Sequence, residues 1–211
     1  MLTALETPVI APTFRQASLF SDQLCSYQPC SYQLFPHWLP VAAARPGMSA
    51  SWWQWVASTD SLTTRLTVAG GAKAFRVHLL RQTIGLPRRD EALALGIEPR
   101  RYAWLREVAL CLDDTPWVVA RSVAPLSQLQ GKGLEGLGER SLGSWLFRQP
   151  DLVRGPLYAT RHQPRFVAEQ CASLLGSVWG RRSVFQHSGL SLLVQEYFLS
   201  SMADDLGLPS R

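Results

Sequence analysis

The sequence predicts an α+β fold, in which antiparallel hairpins are set apart from helices. Three observations carry that reading. Two pairs of apolar segments flank short turn sequences: Tyr102 to Leu112 with Trp117 to Ala124, and Arg181 to His187 with Leu190 to Leu199. In the first half, apolar residues recur at helical spacing instead, as Trp52, Trp55 and Val56 do. Finally, 211 residues with 46% apolar and 18% charged side chains suffice for one domain with its own core, without disulfides or metal.

Residues 1–46 differ from the rest. They hold six of the prolines, many Ser and Gln, and the tetrapeptide Cys-Ser-Tyr-Gln at both Cys25 and Cys30. Two copies this short make no repeat architecture. The segment is read as a poorly ordered extension whose deletion leaves the fold intact. A first helix is expected over Ala50 to Ser58, capped by Ser49 or Ser51. Asp60 is expected to cap a second helix that passes through Leu62 and Leu66 and ends at Gly70-Gly71. Phe75, Val77 and Leu79 alternate with Arg76 and His78, the period of a strand. A short helix near Asp90 to Leu95 stops at Gly96, before the first hairpin with its Asp113-Asp114-Thr115-Pro116 turn. Gly131 to Gly138 forms a glycine-rich loop, Ser141 caps a helix through Leu146, and Leu157 to Thr160 is a strand. The second hairpin closes the domain around Ser188-Gly189, and residues 201–211 are read as a tail.

Two strands carry a charge where the pattern asks for an apolar side chain. Tyr102, Trp104, Arg106, Val108, Leu110 and Leu112 share one face of the first. Leu190, Leu192, Val194, Glu196 and Phe198 share one face of the last. An arginine in such a row keeps its charge and must meet an anion, and a carboxylate there must be paired or have a raised pKa. Either Arg106 and Glu196 neutralise each other, or both face a closed pocket and meet different parts of one ligand. The pattern leaves both open.

Other motifs fail on inspection. Gly131 to Gly136 fits GxGxxG, but Pro125 to Gln130 separate it from the strand and Gly138 falls where a helix should run, so it is no dinucleotide fingerprint. His37, His78, His162 and His187 have no metal-ligand spacing. Cys111 and Cys171 read as small core residues. The net charge of +5 comes from scattered residues, of which only Lys73 and Lys132 are lysines, without the basic stripe that nucleic acid requires. No apolar run is long enough to cross a bilayer, and Met1 to Phe14 lacks the basic and apolar regions of a secretory signal. A cytoplasmic protein with reduced cysteines is expected.

Six short pieces, in order along the chain, resemble the chorismate pyruvate-lyase family. They are Asp60-Ser61-Leu62-Thr63, Trp104-Leu105-Arg106-Glu107, Pro116-Trp117 to Arg121, Ser141-Leu142-Gly143, Trp179-Gly180-Arg181-Arg182-Ser183, and Glu196 within Gln195 to Leu199. The resemblance covers about residues 50 to 200, with Thr160 to Ser177 longer than in the shortest members. It implies a six-stranded antiparallel sheet enclosing a ligand beneath helical flaps. It further implies a ligand contact at Arg106, a carboxylate at Glu196, a main-chain contact at Leu142 and a flap contact at Leu62. The implied reaction eliminates pyruvate from chorismate to give 4-hydroxybenzoate for ubiquinone synthesis, with no metal or organic cofactor and slow product release. Chorismate is then the expected partner, with no nucleic acid, no stable membrane insertion, and a monomeric chain. A non-catalytic sensor is the alternative, because effector domains of some bacterial transcription regulators resemble the same fold. Those carry a DNA-binding domain upstream, for which 46 proline-rich residues are too few. A lipid-facing scaffold would want an amphipathic basic helix, and the sequence has none.

Overall fold

The hairpins dominate the architecture. The computed structural model describes residues 38–166 and 179–209. In chain order they form strand β1 (Leu39–Pro40), helices α1 (Val41–Ala44), α2 (Ala50–Val56) and α3 (Leu62–Gly70), and strand β2 (Phe75–Gly85). Helix α4 (Arg89–Leu95), strands β3 (Ala103–Leu112) and β4 (Thr115–Pro125), and helix α5 (Leu142–Leu146) follow. Strands β5 (Val153–Arg154), β6 (Tyr158–Thr160), β7 (Gly180–His187) and β8 (Leu190–Phe198) and helix α6 (Ser200–Leu206) complete the set. All the pairings are antiparallel, in the order β1-β6-β7-β8-β4-β3-β2, with β5 also on β7.

The expected α+β class holds, but among the described residues the sheet has eight strands rather than six. The excess is β1 and β5, two-residue fragments too short to leave a periodic signal. Strand β5 and the expected β6 lie one after the other along a single edge of β7, and β1 adds to β6. Both long hairpins turn where turn chemistry was expected. Asp113 and Asp114 take φ of 47° and 65°, and Ser188 and Gly189 take 45° and 78°, the paired left-handed conformation that matches strand twist. Helix α2 is capped by Ser49, whose Oγ accepts from the Trp52 N–H at 3.2 Å. Helix α3 is capped by Ser61 rather than Asp60; the Asp60 carboxylate pairs with Arg65 instead.

Both ends of the domain need correction. The extension expected over 1–46 runs too far: residues 39–44 form β1 and α1, and Ala44 is buried in the core. Trp38 sets its ring against Tyr197 at 5.8 Å, and the Arg182 guanidinium lies 4.5 Å over it. The remainder of that segment, with Cys25 and Cys30, lies outside the described residues, as does Cys171; Cys111 is buried as expected. The expected tail begins as helix α6, which buries Met202 and Ala203 and receives the Trp117 indole N–H on Asp205 at 2.8 Å. A chain begun at Gly47 loses Trp38, β1 and α1. It should melt roughly 5–10 °C below one begun at Trp38 in a thermal scan, since burial of one large apolar side chain contributes about 1.5–3 kcal/mol.

The sheet has two unlike faces. On one, α4 lays Glu91 over β3, β4 and β8. Arg121 donates to Glu91 at 2.7 and 3.1 Å and to Glu107, and the Gln195 amide donates to Glu91 at 2.7 Å. Burial pushes the Glu91 carboxyl up, but the Arg121 hydrogen bonds and charge pull harder and hold it below its ordinary value. Every charge in this cluster is answered from within the fold. The opposite face carries α2, α3 and α5, and there the balance differs.

Candidate active site

Strands place the polar groups of that second face, and two short helices cover them. Arg106 of β3 pairs with Ser122 of β4, which pairs with Val194 of β8, which pairs with Ser183 of β7. One register step along, two residues away, Ala120, Glu196 and Arg181 form the next row. Because side chains alternate, all of these rise on one side. Over them stand α3 and α5, tied together where the hydroxyls of Thr63 and Ser141 meet at 2.8 Å. Between sheet and helices lies a cleft with about 630 Å³ of empty space, counting its mouth. The lining is mostly apolar, with Val77, Val108, Leu110, Leu146, Phe185 and Val194 among its walls.

The structure brings all four residues expected from sequence, Leu62, Arg106, Leu142 and Glu196, to this one cleft. Leu62 and Leu142 are the first residues of α3 and α5, positions whose backbone N–H groups have no intrahelical acceptor. Arg106 is 1% exposed. Its Nη2 donates to the carbonyls of Gly138 and Arg140, each at 2.9 Å, and its Nε has no partner. Among the described residues no carboxylate lies within ion-pair distance of it. Burial lowers its pKa to about 10, so it remains a cation at neutral pH.

Glu196 does not neutralise Arg106. It accepts from Nε of Arg181 at 2.6 Å, while Nη1 of Arg181 donates to the carbonyls of Trp55 and Ser58, both at 2.9 Å. The sequence contained the signal for this pair. A two-residue turn at Ser188-Gly189 sets His187 opposite Leu190, and counting back along both strands sets Arg181 opposite Glu196. Arg154 of β5 also lines the cleft, and neither it nor Arg181 stood out in the sequence as a site residue. Asp60 sits at the rim, largely exposed and engaged with Arg65. Among the described residues the interior of the cleft therefore holds three guanidiniums and one carboxylate, a surplus of positive charge facing apolar walls. Such a site suits a small, partly apolar anion. Among the described residues no three His, Cys, Asp or Glu side chains are grouped to hold a metal.

The profile of one family, described as chorismate lyase, matches residues 38–205. A protein of Chromohalobacter salexigens named "Probable chorismate pyruvate-lyase" is 53% identical over 183 residues, which are 87% of this chain and 99% of that one. A "Probable chorismate pyruvate-lyase 2" of Pseudomonas entomophila is 41% identical over 167 residues, 78% of this chain and 89% of that one. Among solved structures, the effector domain of PhnF from Mycobacterium smegmatis aligns with a TM-score of 0.48 at 15% identity, covering 68% of this chain and 91% of that one. A likeness of that size carries no argument about function.

Proposed function

This chain belongs to the chorismate lyase family, and from that premise we propose that its enclosed site eliminates pyruvate from chorismate and leaves 4-hydroxybenzoate. The observation that carries the reading is Arg106, a buried cation with no carboxylate among the described residues, set in the same apolar cleft as Glu196. In this reading Arg106 takes the ring carboxylate of chorismate through its unpartnered Nε. Glu196 accepts the ring hydroxyl, the oxygen that becomes the phenol. The backbone N–H groups at Leu62 and Leu142 hold the substrate from the helix side.

The chemistry is redox-neutral. The bond between the ring and the enolpyruvyl oxygen breaks, and its electron pair leaves with that oxygen. The neighbouring carbon, which bears the hydroxyl, gives up its hydrogen as a proton, and the C–H pair completes the aromatic ring. The enolpyruvyl fragment takes up one proton and ends as pyruvate, so atoms and charge balance. Aromatisation supplies the driving force. The protein orients the ring between fixed charges and excludes water from them. Glu196 holds the hydroxyl of the carbon that loses the proton, and so fixes that carbon in place. No cofactor enters these steps. The reading includes delivery of 4-hydroxybenzoate to ubiquinone synthesis by a monomeric, cytoplasmic enzyme.

Purified full-length protein incubated with chorismate should release 4-hydroxybenzoate and pyruvate in equal amounts, followed by absorbance and a lactate dehydrogenase couple. Tight chorismate binding without either product would favour the non-catalytic sensor. The cover yields a further expectation. Ser141→Ala removes the hydroxyl that joins α5 to Thr63 of α3. A hydrogen bond of this kind contributes about 0.5–1.5 kcal/mol, so 4-hydroxybenzoate should dissociate roughly 3- to 10-fold faster in stopped-flow displacement.

A further inference from the structure

We infer that Arg154 binds the second carboxylate of the substrate, the one on the enolpyruvyl group that leaves, and so distinguishes substrate from product. The inference rests on the chorismate-lyase reading of the cleft and extends it to a residue outside the four already considered.

Two observations motivate it. The first is charge. Arg154 lies in the cleft with Arg181, and the interior carboxylate there, Glu196, is already hydrogen-bonded to Arg181. Among the described residues the hydrogen bonds of Arg154 go to neutral groups: Nε donates to Ser183 Oγ at 3.1 Å, and Nη1 donates to the carbonyls of Ser58 and Thr59 at 3.4 and 3.2 Å. Among the described residues no carboxylate is within ion-pair distance of it. Burial, and then the charge of Arg181, push its pKa down against a smaller upward pull from Glu196, an environment that an incoming anion would relieve. On the other face of the sheet Arg121 and Arg182 each have a carboxylate of their own. Within the cleft, Arg106 and Arg154 do not.

The second observation is placement. Arg106, Ser122, Val194 and Ser183 form one row across β3, β4, β8 and β7. Arg154 reaches that row from β5 through its bond to Ser183. The two guanidiniums thus flank the same strip of sheet from opposite sides, with Val194 between them and Glu196 one step along. Three inter-strand spacings, about 14 Å, separate the β3 and β7 backbones. A dicarboxylate with a hydroxyl beside its ether arm presents the matching triangle: one acid for Arg106, one for Arg154, and the hydroxyl for Glu196. After elimination the product keeps the first acid and the hydroxyl and has lost the second. Arg154 then contributes to binding before bond cleavage and stabilises the departing fragment as charge builds on it, without holding the aromatic product.

A binding ratio tests this directly. The probes are 4-hydroxybenzoate and 3-(carboxymethoxy)-4-hydroxybenzoate, an unreactive aromatic acid carrying a second carboxylate on an ether arm, measured by calorimetry. Wild type should bind the dicarboxylate tighter than the monocarboxylate. Arg154→Met should reduce that preference by roughly 10- to 100-fold, the worth of a charge-assisted hydrogen bond, and leave 4-hydroxybenzoate binding unchanged. Its kcat/KM for chorismate should fall by a similar factor. If both ligands weaken together, or the preference survives, the inference is overturned. If Arg154→Met fails to bind 4-hydroxybenzoate at all, Arg154→Gln, which keeps donors for the Ser58 and Thr59 carbonyls, decides by the same ratio. Failure of wild type to convert chorismate while the ratio still responds to Arg154 would overturn the reaction and retain the anion site.

Discussion

Arg106→Ala should lose about a thousandfold or more of kcat/KM for chorismate, and Arg106→Lys should recover only part of it. The reason lies in how the side chain is held. Its Nη2 is committed to the Gly138 and Arg140 carbonyls, which fix the plane of the guanidinium and leave the Nε edge without a partner. A carboxylate meeting Nε gains a charge-assisted hydrogen bond from a buried cation, where it is worth more than in solution. Lysine keeps the charge, but its ammonium cannot reproduce the fixed plane that serves two carbonyls and presents Nε to the ligand. The expected stability change runs the other way. No carboxylate among the described residues depends on Arg106. Replacing the buried cation by Met therefore leaves no orphaned charge and should preserve or raise the melting temperature. Steady-state kinetics and thermal scans on Ala, Lys and Met variants check both halves. An Arg106→Lys enzyme as active as wild type would sink the role of the fixed guanidinium plane.

That contrast shows what the sequence could reveal and what it could not. Alternation exposed Arg106 and Glu196, because a charge in an apolar row stands out at a period of two residues. Alternation could not say who meets whom, since partners are set by register between strands. Register was readable for the second hairpin, where a two-residue turn fixes it. It was not readable for β3 against β8, which meet only through β4. Leu62 and Leu142 came from family resemblance alone, because a leucine opening a helix looks like any core leucine. Arg154 was invisible for a different reason. It sits on a strand of two residues, and no periodic signal exists at that length. The same limit hid β1 and β5 and raised the strand count from six to eight. The ends were misjudged because proline and serine content suggested a loose extension, whereas tertiary contacts of Trp38 and Met202 decide the matter.

Glu196→Gln should lower kcat for chorismate by about a hundredfold or more while changing KM little, because a charged acceptor matters most as the ring hydroxyl becomes a phenol. The structure shifts where the accompanying stability cost falls. An Arg106 that depended on Glu196 would be left wholly unpaired, at about 3–5 kcal/mol. Arg181 is the residue that depends on it, and Arg181 keeps the Trp55 and Ser58 carbonyls and can still donate to the glutamine oxygen. The loss should be nearer 1–2 kcal/mol. That leaves two roles for Glu196, partner of Arg181 and partner of the substrate, and a second substitution separates them. Arg181→Met removes the cation that Glu196 neutralises, so the double variant Glu196→Gln with Arg181→Met has no unpaired charge at this position. If holding Arg181 were the whole function, the double variant would regain both melting temperature and turnover. With Glu196 acting on the substrate, the melting temperature returns toward wild type and turnover stays as low as in Glu196→Gln alone. Calorimetric melts and initial rates on the four proteins of this cycle give the answer, and recovered turnover in the double variant would remove Glu196 from the catalytic machinery.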